Sequence, residues 1–198
     1  MPNLPITRDQ AWELVKKHNT HPQDLVHYLE SEAVMRELAK KLGLSQEEVS
    51  YWAVLGLVHD VDWGQTKSEV ETHLTKAPEI LKEAGFDEEF IEIVLSHGYG
   101  FEELPHLANK KREGRVQHAL AASETITGLI HSYALMRDKR ISDMLPKGLR
   151  KKFKDKTFAA KIDREVIREA EKLGMEMSEF FQIAIDGIKN IKTEVGLE

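Results

Sequence analysis

The amino-acid sequence predicts an all-α fold, and three observations carry that prediction. Apolar residues recur at three- and four-residue spacing almost throughout the 198-residue chain, as helices with one buried face require. Runs of β-branched residues alternating with polar ones, the mark of strands, are missing. Helix-starting and helix-stopping residues stand where the periodic segments begin and end.

Taken in order, Thr7 with Gln10 forms a capping box that opens a first helix bearing Trp12 and Val15 on one face and ending before His21-Pro22. A second helix runs from about Asp24 to Leu42, carries His27 in its first turns, and is stopped by Gly43. Ser45 with Glu48 caps a third helix that turns wholly apolar from Trp52 to Val58, as a segment buried on all sides does, and runs straight into His59-Asp60. A fourth helix is expected over Ser68 to Ala84, closed by Gly85, and a fifth from Asp87 that delivers His97 just before Gly98. The irregular stretch Gly98 to Glu113, with Pro105, precedes a long helix from about Arg115 to Met136 with Glu124 at its middle. Pro146 to Lys161 then holds seven basic residues against one acid and reads as a solvated loop, and helices over Asp163 to Leu173 and Ser178 to Lys192 close the chain. The organisation expected is one domain over 1–198, with a core at about 22–138 and residues 139–198 packed on it.

Composition narrows the function classes. With 41% hydrophobic and 31% charged residues the chain folds on its own rather than staying disordered. A net charge of −6 argues against general affinity for nucleic acid or anionic membrane, both of which need clustered positive charge. The absence of cysteine removes disulfides, thiolate metal ligation and a cysteine nucleophile, and a cytoplasmic setting is expected. Met1 to Asp9 lacks the basic and apolar regions of a leader, and no stretch is apolar for long enough to span a bilayer.

The chemistry concentrates on histidine and aspartate. Adjacent helical residues point about 100° apart, so His59 and Asp60 reach one ion only where a helix ends or distorts, and the apolar run ends there. Imidazole with carboxylate suits Mn, Fe, Co, Ni or Zn, whereas a cage of oxygens alone favours Mg or Ca. Asp62 follows two residues later, placed to orient a water or a metal-bound histidine. No dinucleotide-binding glycine motif, P-loop, nucleophile elbow or His-Glu-x-x-His is present.

The segments HYLESEAVMRELAKKLG, WAVLGLVHDVDWGQT, ETHLTKAPEILKEAGFDEEFIEIVLSH, ALAASETITGLIHSYALMR and KKFKDKTFAAKIDREVI resemble, in order, blocks of the HD-domain metal-dependent phosphohydrolases, especially their HDIG-type members, over most of residues 25 to 170. The resemblance implies an all-α bundle holding one or two divalent transition-metal ions that activate water against a phosphoester of a small molecule such as a nucleotide. By position it implies His27, His59 and Asp60 as metal ligands, with Asp60 and Asp62 as catalytic acids. Glu124 falls where the family usually has aspartate as the fourth ligand and is expected to ligate the metal in its place, and His73 and His97 fall where its histidine-rich members bind a second metal or substrate phosphate. Lys156, within KDKTFA, is a candidate phosphate contact, and a homodimer is compatible with the resemblance. A dinuclear-iron oxygenase and an inactive ligand-binding module of the same superfamily stand as alternatives.

Overall fold

The computed structural model describes residues 4–198. Residues 1–3, part of the segment read for a leader, lie outside the described residues. Among the described residues the chain is all-helical with no strand, and no helix is long and apolar enough to cross a membrane.

Helix α1 spans Arg8–His18, and the Thr7–Gln10 capping box forms in both directions. Helix α2, Pro22–Lys41, starts on a proline whose missing N–H costs nothing in the first turn and ends at Gly43, in the left-handed region at φ 73°. Helix α3, Gln46–Val58, opens on the Ser45–Glu48 box and is buried almost continuously from Val49 onward. Its fit against α2 depends on one glycine. A Cβ on Gly56 would stand 2.6 Å from the Ser31 carbonyl oxygen, so the absence of a side chain lets the two backbones meet. Burying each Val or Leu of this helix stabilises the fold by about 1.5–3 kcal/mol.

The region after α3 departs from expectation. In place of one helix over Ser68 to Ala84, the chain forms a short α4 (Trp63–Thr66), a 3-10 turn (Val70–Thr72) and α5 (Ala77–Glu83). The cause is Asp62. Its buried carboxylate accepts the backbone N–H groups of Leu74, Lys76 and Ala77, which pulls this segment inward and places Leu74 at φ 66°. A continuous helix would have spent those N–H groups on its own carbonyls.

Helix α6, Glu88–Ser96, is capped by Asp87, and α7, Arg115–Leu135, runs through the centre against α2, α3 and α6. The basic segment is not a loop throughout. Pro146–Lys154 forms α8, which buries Leu149 and Phe153 and turns its lysines outward. Phe158 beyond it stands edge-on to Tyr133 with the Lys152 ammonium over its ring, which anchors the end of the segment. Helix α9 (Arg164–Arg168) continues as a 3-10 turn (Glu169–Leu173), and α10 (Met177–Asn190) packs on α2, where Gly187 abuts the Ala33 carbonyl.

Candidate metal centre

The site begins where α3 ends. His59 is still helical, but the following bonds, Val61 N–H to Val58 and Trp63 N–H to Asp60, are three-residue turns that swing Asp60 off the helix. Asn19 at the end of α1 fixes this turn. Its amide donates to the Val61 carbonyl, and its side-chain oxygen accepts from Tyr28 Oη and Gly64 N–H. Tyr28 also donates to the Asp60 carbonyl, while Gly64 has no room for a side chain, since a Cβ would lie 2.3 Å from the His18 carbonyl oxygen.

Four imidazoles converge on the Asp60 carboxylate. On one oxygen, Oδ2 lies 3.8 Å from His27 Nε2 and 3.6 Å from His59 Nε2. On the other, Oδ1 lies 3.1 Å from His73 Nε2 and 3.0 Å from His97 Nε2. Two ligand groups therefore share one carboxylate, His27–His59–Asp60 and Asp60–His73–His97. These spacings suit donors around a common ion, since ligands at about 2.1 Å from a metal stand roughly 3 Å or a little more from one another.

The hydrogen-bond partners of the outer nitrogens decide what the inner ones can do. His59 Nδ1 faces the Gly56 carbonyl at 2.8 Å, His97 Nδ1 faces the Val94 carbonyl at 2.7 Å, and His73 Nδ1 faces Asp62 Oδ1 at 3.0 Å. These partners only accept, so each Nδ1 carries the hydrogen. His27 Nδ1 faces Thr127 Oγ1 at 2.9 Å, and that hydroxyl already donates to the Glu124 carbonyl, so here too Nδ1 is the donor. In the neutral rings all four Nε2 atoms are thus lone pairs aimed at a carboxylate and, between His27 and His59, at each other across 3.0 Å. Such an arrangement calls for positive charge at its centre, either a proton on His73 or a bound cation, and metal-binding histidines are oriented in this way.

The electrostatics divide the rings: His27 and His59 are held neutral, whereas His73 holds a proton that a bound cation would replace. Burial pushes His59 down to about 3 and lowers His27 as well. Burial opposes protonation of His73 too, but Asp60 and Asp62 outweigh it and pull His73 up to about 10. Burial alone would raise Asp60, yet the surrounding histidines hold its carboxyl well below the usual range.

His27, Asp60, His73, His97 and Glu124 line one cavity of about 350 Å³. Glu124 stands on its wall, outside both ligand groups, hydrogen-bonded to Thr125, and burial raises its carboxyl to about 7. Asp62, expected among the catalytic acids, sits fully buried behind His73 with its oxygens occupied by His73 and three backbone N–H groups. It positions His73 and does not face the cavity. Lys156 is also displaced from its expected role. It is exposed on a turn that Asp155 closes by accepting from Thr157, while Lys161 of the same segment lines the cavity.

Two supporting residues escaped the sequence reading. Thr127, one turn beyond Glu124, selects the His27 tautomer. Arg112, with its side chain only 8% exposed, donates to the carbonyls of Ser96, His97 and Tyr99 and forms a paired bond with Glu169, which ties the His97 turn to the C-terminal part of the chain. The signal for Thr127 lay in its three-residue spacing from Glu124; Arg112 sat in an irregular stretch where spacing carries no direction.

Fold and site together define a protein all-helical among the described residues, with partly to fully buried histidine and aspartate groups that could hold metal. The family model of the HD domain matches residues 25–131, more than half of the chain, and the chain belongs to this family, a superfamily of metal-dependent hydrolases that bind divalent metals. No curated protein and no solved structure matches the chain.

Proposed function

We propose that this chain is an HDIG-type, metal-dependent phosphohydrolase that cleaves a phosphoester of a small molecule. The observation that carries the reading is the convergence of four imidazole Nε2 atoms on one carboxylate, with His27, Asp60, His73 and His97 lining a cavity. His27 and His59 would hold one ion through Asp60 Oδ2, and His73 and His97 a second through Oδ1, with nitrogen and oxygen donors suited to Mn, Fe, Co, Ni or Zn. Bound there, such ions supply Lewis-acid polarisation of a phosphoryl oxygen and lower the pKa of a water.

The chain's own groups do the rest. Asp62, Thr127, and the Gly56 and Val94 carbonyls keep each imidazole in its ligating tautomer. Lys161 brings a point charge to the mouth of the cavity, where a phosphate oxygen accepts from it. Phe101, Leu104 and Ile162 supply apolar walls that thin the water around the reacting group.

The test is metal analysis of the purified protein beside the His59→Ala/Asp60→Ala double variant, followed by a phosphoester panel with the metal found. Bound transition metal in the parent, none in the variant, and turnover of one phosphoester class is the expected result. A metal-loaded, folded sample inert across the panel overturns it. A carboxylate shared by two ligand groups also suits a dinuclear-iron oxygenase, and iron with oxygen-dependent substrate loss would select that reading. For an inactive module, Glu124→Asp is decisive: a large gain in turnover marks decay, and no gain marks a glutamate the site accommodates.

A further inference from the structure

Behind His27, a second cavity of about 350 Å³ shares His27 and Gly128 with the metal cavity, so the two adjoin. Helices α2 and α7 meet there in two polar rungs. The first is the His27–Thr127 bond, and the second, one turn along each helix, is the 2.7 Å bond between Glu30 and His131 Nδ1. The Glu30 side chain is 2% exposed and that of His131 is 28% exposed. The edge of the ring bearing Nδ1 is committed to a buried carboxylate, so the exposed part of the imidazole is the edge bearing Nε2.

Glu30 pulls the imidazole upward against burial and Lys139, and burial pushes the Glu30 carboxyl upward against His131, so the two groups compete for one proton. If the proton rests on the imidazole, Nε2 carries a hydrogen; if it rests on Glu30, which then donates to Nδ1, Nε2 carries one again. Either way the pair is neutral as a unit and shows the cavity a donor. Lys139 at the rim adds a positive charge, and Gln23 and Ser132 line the same cavity with groups able to donate. A structural rung between helices accounts for the Glu30–His131 bond but not for a cavity at its exposed edge with a lysine beside it.

We propose that this cavity is a second anion subsite of the same active centre, so that the substrate is a phosphoester carrying a second acidic group, a carboxylate or a further phosphate. The proposal rests on the phosphohydrolase reading. The two cavities share His27 and Gly128, so the proposed substrate carries its two acidic groups on one small molecule.

The experiment is calorimetric titration of the Mn²⁺-supplied protein with non-hydrolysable alkyl phosphonates of matched length ending in methyl, carboxylate or a second phosphonate. The matching phosphate esters are assayed in parallel. Acid-ended compounds are expected to bind about tenfold tighter than methyl-ended ones, the worth of one charge-assisted hydrogen bond, and the stronger acid-ended compound names the acidic group. In His131→Gln, and in Lys139→Asn at an exposed left-handed position that asparagine tolerates, the preference should fall below about threefold while methyl-ended binding persists. Equal binding of all three ends by the parent overturns the subsite and leaves the hydrolase reading standing. Retained preference without turnover of any ester keeps the subsite and removes the hydrolase reading. Failure to bind any phosphonate overturns both.

Discussion

At the scale of single residues, the centre depends on side chains that never touch its ligand. Asp62 is the clearest. With four N–H donors on one buried carboxylate, Asp62→Ala would strand several of them, each at about 1–3 kcal/mol. Chemical denaturation should show a loss of several kcal/mol, and metal affinity should fall about 10- to 100-fold as His73 loses its orientation. Unchanged affinity in a folded Asp62→Ala sample would show that Asp62 does not orient a ligand. The sequence made His59-Asp60 legible because a long apolar run stopped there. It could not tell Asp62 facing the cavity from Asp62 facing away, since that depends on which backbone N–H groups fold back towards it. Lys156 and Lys161 were indistinguishable for the same reason: a turn, not a periodicity, chooses which points inward.

Among the elements, the capped helices were the easiest to read. Thr7–Gln10 and Ser45–Glu48 are local signals, and both boxes form. The segment 68–84 failed because a distant carboxylate competes for its N–H groups, and α8 was hidden by its basic composition although Leu149 and Phe153 stand four apart. Close approach of α2 and α3 gives a direct test. Gly56→Ala places a methyl group 2.6 Å from the Ser31 carbonyl, in backbone that cannot yield cheaply. A destabilisation of about 1–3 kcal/mol is expected by thermal melting, together with weaker metal binding, because the Gly56 carbonyl also holds His59 Nδ1. A melt equal to the parent's would show that the helices separate freely.

For the whole molecule, Arg112 and Glu169 join the His97 turn to the C-terminal part of the chain. Burial opposes ionisation of Glu169, but hydrogen bonds from Arg112 and His118 outweigh it and lower its carboxyl. A lowered carboxyl stabilises the fold above the unfolded-state value, about 4.3, and loses that contribution as pH falls through the lower folded value. Thermal melts from pH 6 to about 3 should therefore drop more steeply for the parent than for Glu169→Gln; parallel curves would remove the assignment. Arg112→Met leaves Glu169 with His118 as its one remaining partner and takes the donor from the carbonyls of Ser96, His97 and Tyr99, and a loss of about 3–5 kcal/mol is expected. Metal should act in the opposite direction, raising stability by about 2.7 kcal/mol when present at a hundred times its dissociation constant.

The single carboxylate between the two ligand groups has one more consequence, for stoichiometry. Under the proposed two-ion loading, an ion held by His27, His59 and Asp60 would weaken what Asp60 offers to one held by His73 and His97, so the two positions would not fill independently. Metal titration should resolve two unequal steps, a tight first equivalent and a looser second, and the protein should pass through a half-loaded form whose abundance is set by the free metal concentration.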